Sequence, residues 1–165
     1  VRNADLACLV FHGVGTFLSD LEPSDVVEAG FDGPVVHPFR RDASALGGAL
    51  VANDRTHTKG LGVHSRSRLS FVVPEGVATF WTRVALDDSS AALPLRANVD
   101  VRVLTAGTVA FEHKGLESGQ APRDTGLLAV VPGETVILEV DFGKGRELGD
   151  RVDWLTPVFL PPPSR

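Results

Sequence analysis

Apolar and polar residues alternate with a period of two over much of the chain. In "NVDVRVLT" (98–105), Val99, Val101 and Val103 alternate with Asn98, Asp100 and Arg102. "ETVILEVDF" (134–142) repeats the pattern with Val136, Leu138, Val140 and Phe142. That period gives strands with one buried and one wet face. "RLSFVV" (68–73), "TFWTRVALD" (79–87), "TVAFEH" (108–113) and "VDWLTPVFL" (152–160) are also short runs of β-formers. Turn residues separate them: "PEG" (74–76), "AG" (106–107), "PG" (132–133) and "GKG" (143–145). In "TFWTRVALD", Phe80, Thr82, Val84 and Leu86 share one face and Trp81, Arg83, Ala85 and Asp87 the other. No stretch predicts a long helix. "SALGGALVAN" carries adjacent glycines, and "SDVVEA" (24–29) supports one turn at most. Many short strands with frequent turns predict an all-β protein, a β-sandwich or jelly roll.

Composition narrows the function classes. The 165 residues suffice for one domain with a sizeable core, and 43% are hydrophobic. The net charge of -5, mixed along the chain, lacks the basic patch of a nucleic-acid binder. No apolar run approaches the roughly 20 residues of a membrane span, so no membrane insertion is expected. Cys8 is the single cysteine and reads as a small buried residue. The chain shows no signal peptide and does not begin with Met; it reads as a fragment or processed form.

The candidate chemistry is sparse. None of the five histidines forms HExxH or another ligand-spaced pair, and neither GxxxxGK[ST] nor GxSxG is present. The segment "TKGLGVHSRSRLSF" (58–71) poses the sharpest question. Leu61 and Val63 should share one face, with Gly62 and His64 on the other. His64 then has two readings, a ligand contact or a polar pin locked by hydrogen bonds at a strand end, and the residues favour the pin. The acidic groups "LDD" (86–88) and "GDRVD" (149–153) read first as caps of turns and strand ends. Trp81, on the face opposite Phe80, could stack on a pyranose ring beside Arg83 and Asp87, or be covered by a loop. Trp154, among apolar residues, reads as core. The candidate ligand-binding set is therefore Trp81, Arg83, Asp87 and His64. No catalytic constellation appears, so the chain is not expected to be an enzyme.

"FLSDLEP" (17–23), "PFRRDASALGGAL" (38–50), "RTHTKGLGVHSRSRLSFVV" (55–73), "FWTRVALDD" (80–88) and "GDRVDWLTPVF" (149–159) occur here in one order and spacing. Together they resemble the NPCBM family of carbohydrate-binding modules, related to carbohydrate-binding module family 51. The resemblance covers residues 16–160. It leaves 1–15 as a lead-in strand or the end of a preceding segment and 161–165 as a Pro-rich tail. It implies a galactose-binding-like β-sandwich that binds glycans, including galactose-containing ones, as a non-catalytic accessory domain of a larger, secreted or extracytoplasmic bacterial protein. Its signature residues match Ser19, Asp20, Gly60, Gly62, His64, Ser67, Asp87, Asp153 and Trp154. Galactose-binding-like sandwiches often hold a structural calcium, and the Asp-rich strand ends offer oxygen atoms for one, though without EF-hand spacing. A hydrogen bond from His64 to Asp153 is a further expectation. The sequence departs from the family at Ala85 and Ala106 and in having no tyrosine. Those departures supply the alternative: a structural or protein-interaction sandwich that has lost sugar binding.

Overall fold

The computed structural model describes residues 15–30, 37–94, 96–144 and 148–163. The expected burial of Cys8 and most of the lead-in 1–15 lie outside them. Fourteen strands are formed among the described residues: β1 (Thr16–Phe17), β2 (Asp25–Glu28), β3 (Arg40–Arg41), β4 (Leu50–Ala52), β5 (Arg55–His57), β6 (Gly60–His64) and β7 (Ser67–Val72) in the first half. The second half holds β8 (Thr79–Leu86), β9 (Asn98–Thr105), β10 (Thr108–Glu117), β11 (Arg123–Asp124), β12 (Leu128–Ala129), β13 (Thr135–Phe142) and β14 (Arg151–Leu160). One turn of helix, α1 (Asp88–Ala91), follows β8. No helix among the described residues is long and apolar enough to cross a membrane.

Twelve of these strands make two antiparallel sheets, and β4 and β5 form a separate hairpin. One runs β11-β8-β14-β6-β3, with β1 added to β14 and β12 to β8; the other runs β10-β9-β13-β7-β2. The period-two faces meet between them. Val99, Val101 and Val103 of β9 and Val136, Leu138 and Val140 of β13 pack against Leu61 and Val63 of β6, Phe80 and Val84 of β8, and Trp154 of β14. Phe80 and Phe159 add an edge-to-face contact at 5.5 Å. The architecture is the expected β-sandwich.

"SDVVEA" does not make a helical turn. Its residues 25–28 pair with Ser67–Ser70 of β7, because two adjacent β-branched valines fit a sheet edge better than a helix. The strand begun at "TVAFEH" continues to Glu117 through an irregular register.

A second, smaller cluster lies on the outer face of the first sheet. Leu50 and Ala52 of the β4–β5 hairpin cover Ala85 and Leu155. The centre of this sheet is therefore buried on both sides, which explains why β8 and β14 carry apolar residues on both faces. Gly60 and Gly62 make that cover possible. A Cβ on Gly62 would lie 2.4 Å from the backbone of Ala43, Ser44 and Ala45, and one on Gly60 2.6 Å from the Trp154 carbonyl oxygen. The glycines of "KGLGVH" thus let a chain segment cross directly over the sheet.

Candidate functional site

The face carrying Gly60, Gly62 and His64 also carries the acidic residues of the signature. Asp153 of β14 sits opposite Gly62 on one side and Ala85 on the other. Asp87, two residues beyond Ala85, falls on the same face diagonally from Asp153. Asp87 is the N-cap of α1. One oxygen accepts from the Ser89 N–H at 2.9 Å and the other from the Val51 N–H at 3.3 Å. Asp88 accepts from the Asn53 and Asp54 N–H groups at 2.9 and 2.8 Å, anchoring the turn of the hairpin. These carboxylates cap backbone, as expected for strand-end acids.

Asp153 is different. It is fully buried, and neither oxygen receives a hydrogen bond from an N–H or hydroxyl among the described residues. Burial, then the negative charge of Asp87 and hydrogen bonding with it, push its pKa up to about 9. At neutral pH Asp153 is a carboxylic acid whose proton faces the Asp87 carboxylate. The expected bond from His64 to Asp153 is not formed: the buried Nε2 of His64 also has no partner. His64 lies opposite Arg151, two register positions beyond the Asp153–Gly62 pair.

Trp81 stands on the outer face, as alternation places it, but it is only 7% exposed. Its indole N–H donates to Asp124 of β11 at 2.9 Å, and the Arg83 guanidinium lies 5.6 Å from its ring centroid. Of the four candidate ligand residues, Trp81 and Asp87 are buried, and Arg83 packs against the covered indole. Trp154 is fully buried in the core.

His64 lines a concavity of about 270 Å³ at the rim where β6 ends and β14 begins. Its ring packs on that of His37, with centroids 4.4 Å apart and planes tilted by 31°. Arg151 and Ser65 complete the polar lining, and Leu46 and Leu148, both more than half exposed, form the apolar walls. Ser65 donates to the buried Asp150 at 2.6 Å behind the wall, and Arg151 Nη1 donates to the Ser89 carbonyl and hydroxyl at 3.3 and 3.2 Å. Burial first, then the neighbouring His37 and Arg151, lower the His64 pKa to about 4. His64 is therefore neutral at physiological pH, with one donor and one acceptor nitrogen. His37, Leu46, Leu148 and Arg151 were not among the sequence candidates. His37 lies far from His64 in sequence and no local pattern links them.

Across Asp150 is a larger concavity of about 560 Å³, lined by Asn98, Asp100, Lys114, Glu117, Phe142 and Lys144. Several of its acceptors are engaged within the protein. Asp100 accepts from the Gly115 N–H at 2.8 Å, and the Asn98 side chain binds Glu117 and the Lys144 N–H at 3.3 and 3.0 Å.

The described side chains do not converge on a carboxylate-built calcium site. Among the described residues no three His, Cys, Asp or Glu side chains converge as a metal cluster. The oxygens of Asp87 and Asp88 point at backbone N–H groups instead.

Comparison with known proteins agrees with this architecture. No curated protein matches the chain. Among solved structures, the CBM51-2 and INT domains of Clostridium perfringens ZmpB superpose with a TM-score of 0.76 at 24% identity, over 89% of this chain and 31% of that one. The CBM51 of C. perfringens GH95, solved in complex with methyl-galactose, gives 0.74 at 18% identity, over 88% and 99%. The tandem CBM51 modules of the Streptococcus pneumoniae family 98 glycoside hydrolase give 0.73 at 19%, over 92% and 48%. At these identities the likeness establishes the fold, the galactose-binding-like β-sandwich of CBM51. The NPCBM/NEW2 domain model matches residues 15–160, nearly the whole described chain. The chain belongs to the NPCBM/NEW2 domain family, a family of carbohydrate-binding modules.

Proposed function

We propose that this chain is a non-catalytic carbohydrate-binding module that takes one terminal sugar ring in the His37–His64–Arg151 concavity. The carrying observation is that His64, one of the four ligand candidates read from the sequence, lines a concavity together with His37 and Arg151. At about 270 Å³ the space falls just below the roughly 300–1,000 Å³ of drug-sized ligand sites, which suits a single ring rather than an extended chain. Leu46 and Leu148 offer apolar surface to a ring face. The two imidazoles and Arg151 offer hydrogen bonds to its oxygens. Galactose-containing glycans are the first ligands to test, because a CBM51 of the same fold has been solved with methyl-galactose and another with GlcNAc. The module would direct a larger extracytoplasmic bacterial protein to such glycans.

The reading predicts a separation between two variants in calorimetric titration with methyl-galactoside and GlcNAc. His64→Ala should lose binding at least about tenfold, the worth of one lost hydrogen bond, while its melting temperature stays within a few degrees. Trp81→Phe should bind like the parent, because its indole is spent on Asp124. Parent-like binding by the His64 variant would contradict the site. The second reading, a sandwich that has lost sugar binding, draws support from the covered Trp81. It would stand if the folded parent chain bound none of the sugars offered.

A further inference from the structure

Among the described residues the lining of the concavity is poor in acceptors. Sites for neutral sugars need acceptors for the hydroxyl protons as well as donors. Here the polar lining among the described residues is His37, His64, Ser65 and Arg151, with imidazole nitrogen as an acceptor but no carboxylate or carboxamide. The Ser65 hydroxyl points its proton away, into Asp150. Asp150 itself is fully buried and turned toward Ser65 and the Asn98 N–H. Arg151 forms no ion pair among the described residues: its Nη1 goes to the neutral Ser89 and its buried Nε has no partner. The neighbouring concavity is the contrast, since there Asp100 and Glu117 offset Lys114 and Lys144.

We infer that the His37–His64–Arg151 concavity takes the carboxylate of an acidic sugar, a uronic acid or a related sugar acid, with Arg151 as the charge partner and the two imidazoles as flanking hydrogen-bond groups. This rests on the sugar-binding reading above and names the ligand class. A carboxylate suits a guanidinium that is held by Nη1 on Ser89 and makes no other hydrogen bond among the described residues, leaving Nη2 for the ligand. Leu46 and Leu148 then face the ring carbons.

The test is calorimetric titration of the chain with methyl galactoside, methyl galacturonide and the corresponding galacturonamide at low and moderate salt. The galacturonide should bind about tenfold or more tightly than both neutral sugars, as a charge-assisted bond replaces a neutral one. Its advantage should shrink as salt rises. Arg151→Gln should abolish that advantage. His37→Asn, a change at an exposed residue, should reduce it with the fold intact. Equal or weaker binding of the galacturonide, with methyl galactoside bound, would overturn the acidic-sugar inference and leave the sugar-binding reading standing. Failure of all three sugars to bind would overturn both.

Discussion

Gly62→Ala should lower stability by more than about 3 kcal/mol or prevent folding, the upper range for overpacking. Three backbone atoms of Ala43, Ser44 and Ala45 lie 2.4 Å from where the methyl group would go. A flexible side chain could swing aside, but a backbone crossing cannot. The segment is tied down by the hydrogen bond from the Ser44 N–H to the Gly48 carbonyl at 2.9 Å, and Asp42 just before it by its bond to the Gly60 carbonyl at 2.8 Å. Gly76→Ala provides the contrast. Gly76 has a φ of +78° but nothing within 4 Å of the added Cβ, so only the local backbone cost of about 1–2 kcal/mol applies. Urea denaturation of the two variants would rank them. A Gly62→Ala midpoint close to the parent's would show that the crossing over β6 is wrong.

Asp153→Asn should stabilise the chain at neutral and alkaline pH by several kcal/mol and leave it unchanged near pH 3. The unfolded carboxyl titrates near 3.9, whereas the folded one is raised to about 9. Between those values the native state holds a proton that the unfolded state has released. Unfolding then releases a proton, and parent stability falls steadily as pH rises from about 4 to about 9. Below the unfolded value both states are protonated and the penalty is absent. Asparagine keeps the shape and a donor toward Asp87 but does not titrate. The difference in melting temperature between variant and parent should widen from pH 4 to pH 9. A difference independent of pH would mean that Asp153 is ionised in the fold.

Much of the core was legible because it depends on local alternation. Val99, Val101 and Val103 face inward because a strand has period two, and nothing distant alters that. Leu61 and Val63 pointing inward, with Gly62 and His64 opposite, followed from the same rule. What alternation could not supply is what lies on an outer face. Trp81 was correctly placed opposite Phe80, but its cover comes from Asp124, 43 residues later, through a two-residue strand too short to signal itself. The two glycines of "KGLGVH" signalled a close backbone approach. That the approaching chain would be residues 43–45 depends on a loop with no pattern of its own. The His64–Asp153 pairing failed for a related reason. The two residues sit on the same face of adjacent strands, but burial turns Asp153 into an acid facing Asp87. His64 turns to His37, which reaches it from a loop. "SDVVEA" was too short for periodicity to separate turn from strand, and the exposed edge of β7 decided it.

The central claim is that the concavity at His37, His64 and Arg151 holds a sugar. The most direct measurement is NMR of the histidine ring protons and the backbone amides during titration with methyl galactoside and methyl galacturonide. The account predicts saturable shifts at His37 and His64, with His57 and His113 unmoved because they lie outside the concavity. Saturable shifts confined to the backbone of Asn98, Lys114 and Lys144, with both rings silent, would move the site to the neighbouring concavity and contradict the account.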